Sequence, residues 1–506
     1  MSDSPATSTK PESDGDKRQR ERAEQLLARA PVLASGGVTL ASGRRLDYAV
    51  RAAFVPVTQG GIDAQRGELQ AAVFTIAYSV PAGDGTPRPV CFVFNGGPGS
   101  ASIWLHLGAL GPKRVPMNDD GSMPRAPYAV VDNPLTWLEH FDLVFIDPPH
   151  TGFSLSASDA ARKTLLSVDG DVDALAEVMR GWLASNGRFG APLYLAGESY
   201  GTTRGAALAD KMQAHGLGFE GVILVSCAMD LQSLIFAPRN DLPYALYLPG
   251  FANVAQYHGR LKGALAASPE AARAAAEAFV AEDYLTALHA GSRLDGRARS
   301  RIEKRIAELT GLPPALVQEK NLRINDQCFF FDALRDEGRI VGRLEARVTG
   351  PMAASRTREW EFDPGIEALV APYTTASLAY FASLGIPTDA RYEVLSLEVN
   401  KAWNWGRGSA EGVREANGFT CTSTDLARAL RRNPHLRVFV ASGRYDLGTP
   451  YSASDWSLAQ VDAPAEVLAR ITHRYYDAGH MFYTRTADLA QLKTDLASWL
   501  GAGSGA

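Results

Sequence analysis

The residues best suited to chemistry in this 506-residue chain centre on one serine. Ser199 stands in Gly197-Glu198-Ser199-Tyr200-Gly201, after the apolar run Ala191–Ala196 and before a helical pattern over Thr202–His215. A serine on a tight strand-to-helix turn needs small residues two positions away on each side, because the strand end and the helix start pack against each other. Such a turn presents the hydroxyl at the top of a sheet. It also puts the Tyr200 N–H at a helix N-terminus, where it can meet an anion. An acid and a base complete the set. Asp446 follows the apolar run Leu436–Ala441, and His480 follows the short run His473–Asp477 in Ala478-Gly479-His480-Met481. The chain order Ser199, Asp446, His480 is that of serine hydrolases built on an α/β sheet. His473 is the nearest competitor for the base, but it begins its run instead of following it. His106 and His150 fall on loops near the site and are expected to support it at most.

A second stretch, Asn95-Gly96-Gly97-Pro98-Gly99-Ser100, follows the apolar run Pro89–Phe94. Closely spaced glycines let a backbone approach a ligand and turn its N–H groups inward. In hydrolases of this arrangement, one oxyanion donor comes from such a loop and the other from the residue after the nucleophile. Gly97 and Tyr200 are the natural pair.

Positioning these loops requires a sheet. Short apolar runs near 89–94, 141–147, 192–197 and 220–226, with helical segments before the last two, predict a mostly parallel α/β sheet. Leu46–Val55 and Leu69–Val80, separated by a turn near Gly60-Gly61, predict an antiparallel entry to it. Residues 236–415 interrupt the alternation with long helical stretches, basic runs and aromatic patches. The expected fold is an α/β hydrolase with a mostly parallel central sheet and an inserted, largely helical cap. Its expected parts are a disordered polar tail over 1–24, the core's first part over 25–235, the cap over 236–415 and the core's second part over 416–506. Basic runs in the cap read as solvated helix faces. Trp403 and Trp405 read as cap core or as pocket wall.

Composition narrows the function. A net charge of −5 gives no electrostatic case for nucleic acid or an anionic membrane. No apolar run reaches the roughly 18 residues of a membrane-spanning helix. The polar N-terminal stretch lacks the apolar core of a signal peptide, so a cytoplasmic location is expected. Cys91, Cys227, Cys328 and Cys421 are far apart and form no metal-binding pair. They are expected as free thiols, with a Cys328–Cys421 bridge as the alternative. With no histidine-rich cluster and no phosphate loop, neither metal nor cofactor is expected.

Taken together and in order, Asn95-Gly-Gly-Pro-Gly99, Gly197-Glu-Ser-Tyr-Gly201, Gly443-x-x-Asp446 and Gly479-His480-Met481 resemble the serine carboxypeptidase family, peptidase family S10. The resemblance runs over about residues 70–500. It implies release of C-terminal residues from peptides with a free C-terminus. Asn95, Gly96 and Glu198 would bind the terminal carboxylate. Glu198 can do so only as a hydrogen-bond donor, which requires a pKa raised by an apolar pocket. Some positions depart from the family pattern. Ala109 stands where the family has a second glutamate, Val93 where it has an aromatic residue, and Ser100 and Thr449 where it has cysteines. The family's disulfides are therefore not expected, and strict carboxypeptidase specificity stays open. An esterase or acyltransferase on the same triad is one alternative. A binding protein that retains the fold is the other.

Overall fold

In the computed structural model, which describes residues 13–59, 67–81, 87–407 and 418–502, a ten-stranded sheet carries every loop named above. Helix α1 (Asp14–Ala28) is followed by strands β1 (Val32–Thr39), β2 (Arg45–Gln59), β3 (Glu68–Ser79), β4 (Val90–Phe94) and β5 (Asp142–Ile146). Next come α2 (Val168–Ser185), β6 (Leu193–Glu198), α3 (Tyr200–Ala214) and β7 (Gly221–Val225). After an insertion the sheet is completed by β8 (Arg437–Gly443) and β9 (Ile471–Tyr476). The spatial order is β1-β2-β3-β5-β4-β6-β7-β8-β9, with Leu155–Ser156 pairing off β3. Pairings are antiparallel from β1 to β5 and parallel from β5 onward. This is the α/β-hydrolase arrangement.

The sequence explains the two halves. Val90-Cys-Phe-Val-Phe94 and Gly221-Val-Ile-Leu-Val225 are buried at every position, as parallel strands covered on both faces must be. β2 instead alternates exposed and buried residues along its first half, the mark of a strand with one wet face. Side chains of β4 divide between two cores. Cys91 and Val93 join a cluster with Trp137, Tyr194 and Trp499, whereas Val90, Phe92 and Phe94 join the cluster under α2 and α3.

The chain leaves β4 for β5 on one side and reaches β6 on the other. A crevice opens at the carboxyl ends of strands where the order switches in this way. The Asn95 loop and the Ser199 turn both stand at this point.

The insertion between β7 and β8 differs from the single cap expected over 236–415. Its first part, including α4 (Leu242–Tyr257), has its own core, in which Phe251 and Phe329 stack at 4.3 Å. Tyr445 and Leu447 from the loop after β8 are packed into that core. The later helix α5 (Pro364–Ser383) returns to the sheet, where Leu369, Tyr373, Ala376, Tyr380 and Phe381 belong to the Trp137 cluster. Residues 408–415 of the expected cap lie outside the described residues, as do Gly60 and Gly61.

The N-terminal expectation also needs correction. Residues 1–12 lie outside the described residues, but the rest of the expected tail is α1. Ser13 Oγ caps it by accepting from Asp16 N at 3.1 Å. The helix buries only Ala23, which packs with Ala72 and Ala157, and Gln19 Nε2 donates to Ser156 O at 3.0 Å. So small an apolar contact leaves almost no hydrophobic periodicity to read. The Cys328–Cys421 alternative is not realised, because all four cysteines are free. Among the described residues, no helix is long and apolar enough to cross a membrane.

Candidate active site

β6 runs directly into α3, and Ser199 sits at the junction with φ 61° and ψ −129°. A non-glycine residue pays strain at positive φ, and it persists only where its surroundings fix it. Here the Ser199 N–H donates to Val225 O at 3.0 Å, and Thr202 N donates to Ser199 O at 2.8 Å. The flanking glycines are a steric requirement. A Cβ on Gly197 would collide with the carbonyl of Gly201. A Cβ on Gly96 would lie 2.5 Å from Tyr200 N and 2.6 Å from Gly201 N, so the Asn95 loop rests on the start of α3. Gly97 follows at φ 102°, exposed at the mouth of the crevice.

Arg204, one turn into α3, fixes that loop. Its Nη1 donates to Asn95 O at 2.7 Å and its Nε to Asp171 Oδ2 at 2.7 Å, and both charged side chains are 1% exposed. The guanidinium also lies over the rings of Phe94 and Tyr200. Trp403 and Trp405 pack edge-on to the Tyr200 ring at 5.3 and 5.6 Å. They are therefore the wall behind the Tyr200 side chain.

Asp446 and His480 meet across the loops after β8 and β9. His480 Nδ1 lies 2.7 Å from Asp446 Oδ2. With Nδ1–H donating to this carboxylate, Nε2 is left as the ring's acceptor. Asp446 also accepts from Gly448 N at 2.7 Å, Thr449 N at 2.9 Å and Thr449 Oγ1 at 2.7 Å. Burial pulls the His480 pKa down, but Asp446 and then Glu198 outweigh it, and the net shift is upward. Ser226 Oγ donates to His480 O at 2.7 Å, tying the histidine loop to the end of β7.

A segment that the motifs do not mark holds these two loops together. Residues 343–346 of the insertion accept from Leu447 N through Arg343 O and from His480 N through Leu344 O, and Ala346 N donates to Tyr445 O. Glu345 Oε2 accepts from Gly479 N at 2.9 Å. Asp363 in turn accepts from Arg343 N and Leu344 N. Such contacts pair residues about a hundred positions apart and leave no local pattern.

Glu198 directly precedes the serine and is 2% exposed. Burial pushes its pKa up to about 7, against the downward pull of His480, Tyr483 and Asn95. Tyr483 Oη donates to Glu198 Oε2 at 2.7 Å. Asn95 also hydrogen-bonds Glu198, and its Oδ1 accepts from Leu105 N at 3.0 Å. A second tyrosine, Tyr373, is fully buried and feels the charge of Glu198, and its hydroxyl has no hydrogen-bond partner among the described residues. Gly108 makes room for the two rings: a Cβ there would lie 2.5 Å from Tyr483 and 2.7 Å from Tyr373 Oη.

Residues 74–229 match the serine carboxypeptidase family. The serine carboxypeptidase match covers Asn95, Gly96, Gly97, Glu198, Ser199 and Tyr200 and ends before Asp446 and His480. A comparison with curated proteins finds no match. Among solved structures, the chain is similar to a proline iminopeptidase from Mycobacterium smegmatis, at 11% identity and TM-score 0.33, over 93% of this chain and 98% of that one. It is also similar to esterase E22, at 12% identity and TM-score 0.39, over 88% and 99%. An acetylester hydrolase from Corynebacterium glutamicum gives 11% identity and TM-score 0.32, over 93% and 95%. The fold assignment rests on the strand order described above.

The serine carboxypeptidase resemblance also sharpens what departs from it. Ala109 is buried in the Trp137 core and uses its carbonyl to accept from Asn133 Nδ2 at 2.8 Å. No acid stands at that place, and tyrosines 373 and 483 surround Glu198 instead. Tyr483 was within reach of the sequence, three residues after His480, but nothing in its spacing pointed to Glu198. The remaining histidines lie elsewhere. His473 is inside β9, 2.9 Å from Ser442 Oγ and 3.0 Å from Asp455. His106 is core, with Nε2 2.7 Å from Tyr78 Oη and its ring stacked on Phe145. His150 lines a separate cavity beside β2 and β3.

Proposed function

We propose that this protein is a serine-type carboxypeptidase that releases C-terminal residues from peptides through an acyl-enzyme. Ser199 Oγ attacks the scissile carbonyl, and the C–N bond breaks as His480 passes the serine proton to the leaving amine. Asp446 fixes the imidazole tautomer and stabilises the imidazolium. The N–H groups of Gly97 and Tyr200 receive the oxyanion, a contribution of about 2.7–4 kcal/mol per donor in enzymes of this kind. Water then cleaves the acyl-enzyme with His480 as base.

The observation that carries the carboxypeptidase reading is Glu198. A carboxyl group buried beside the nucleophile, with its pKa raised to about 7, can hold a proton and donate it in a hydrogen bond to a substrate carboxylate. Asn95 and the Gly96 backbone would complete that contact. The test is hydrolysis of one N-blocked apolar dipeptide as free acid and as amide, at pH 6. A preference of about tenfold or more for the acid is expected, the range that one good polar contact supplies. Equal or reversed preference, with Ser199 still labelled by a fluorophosphonate, would overturn it. That result would favour an esterase or acyltransferase, the reading to which Ala109 lends support.

A further inference from the structure

A second cavity, of about 670 Å³, opens between α1, the face of β2 and β3, and residues 386–399. Its size is within the range of about 300–1,000 Å³ usual for small-molecule sites. Its floor is aromatic. Phe74 packs against Phe54 and Phe153 at 5.4 Å each. On one side stand Arg22 of α1, Arg29 directly after the helix, and Arg162 from the helix Asp159–Leu165. All three are exposed, and none pairs with an acid among the described residues. Asp389 and Glu398 lie on the facing segment. His150 also lines the cavity, at φ 66° and close enough to Arg162 to feel its charge. Its Nε2 is buried with no hydrogen-bond partner among the described residues.

We infer that this cavity binds a small molecule with an apolar or aromatic body and one anionic group. The body lies on Phe54, Phe74 and Phe153. The anionic end points to Arg22, Arg29 and Arg162, away from Asp389 and Glu398. The cavity lining includes none of the residues assigned to the active site.

Anilinonaphthalene sulfonate, which has this chemistry and fluoresces when its ring system is buried, is the probe. Fluorescence titration of the full chain is expected to show one saturable site. Decanoate should displace the probe, and decylamine should not. Ser199→Ala should leave the affinity unchanged. The triple variant R22Q/R29Q/R162Q changes only exposed side chains, and it should weaken binding by about tenfold or more while its melting temperature stays the same. F153A, which removes part of the floor, should weaken decanoate binding in the same assay. Absence of saturation, equal displacement by decylamine, unchanged affinity in the triple variant, or loss of the site on acylation of Ser199 would each overturn the inference.

Discussion

Asp446 and Glu198 are both buried carboxylates, 1% and 2% exposed, but the fold surrounds them differently. Asp446 receives two backbone N–H groups, one hydroxyl and the His480 ring. Glu198 receives only the two side-chain donors Tyr483 and Asn95, and burial leaves its pKa near 7. One site thus contains an acid locked as an acceptor and an acid free to carry a proton. That division of roles is how one fold runs two kinds of chemistry at one pH. Beside Glu198, where no second glutamate stands at position 109, the Tyr483 hydroxyl donates without adding charge.

The comparison can be broken most severely at its locked end. Asp446→Asn keeps the shape but favours the wrong imidazole tautomer, and kcat should fall by about 10⁴. Steady-state kinetics check this, and a loss below about tenfold would remove Asp446 from the role assigned to it. The next largest effect is at the other acid. Glu198→Gln keeps a donor at every pH. For the wild type on free-acid substrates, kcat/KM should drop about tenfold per pH unit above 7 as Glu198 ionises, whereas the variant should stay flat there. The same substitution affects stability. A carboxyl whose folded pKa is raised from 4.5 to about 7 holds its proton better when folded. Stability from it is therefore complete below pH 4.5 and is lost as pH rises toward 7, on the order of 3 kcal/mol. Thermal melts from pH 4.5 to 8 should show this slope in the wild type and a shallower one in Glu198→Gln.

Smaller changes sharpen the contrast. Tyr483 pulls the Glu198 pKa down, so Tyr483→Phe should move the alkaline limb of the profile up by about one unit, the size of one hydrogen bond to a charged group. A downward move would mean that Tyr483 serves the neutral acid instead. Thr449→Val removes one of four donors to Asp446 and should lower kcat by only about fivefold, near 1 kcal/mol.

The legible part of this site is the part with local steric or chain-order rules. Gly197 and Gly201 reveal Ser199 because strand and helix nearly touch there, Asp446 follows the apolar run of β8, and Gly479-His480 follows the short strand Ile471–Tyr476 in the expected chain order. Glu198 stood out because a carboxylate next to a nucleophile requires explanation. Its partner Tyr483 and its neighbour Tyr373 did not, because an aromatic residue three positions from a histidine, or on the buried face of α5, reads as core. The clamp over 343–346 works mostly through backbone groups, which carry no residue signature, and its side-chain contact, Gly479 N donating to Glu345, spans 134 positions. Helix α1 escaped for a different reason. It attaches through Ala23, the half-buried Leu26 and Leu27 and a few polar contacts, so most of its residues are polar and its composition resembles that of a tail.

The most direct test of the two-acid account is the ratio of kcat/KM for the free-acid dipeptide to that for its amide, followed from pH 5 to 8 in the wild type and in Glu198→Gln. The triad contributes to both substrates and cancels in the ratio. The account predicts a wild-type ratio that falls with an apparent pKa near 7 and a ratio in Glu198→Gln that does not change with pH. A pH-independent wild-type ratio, or one that rises, would contradict the claim that Glu198 recognises the terminal carboxylate as a protonated donor.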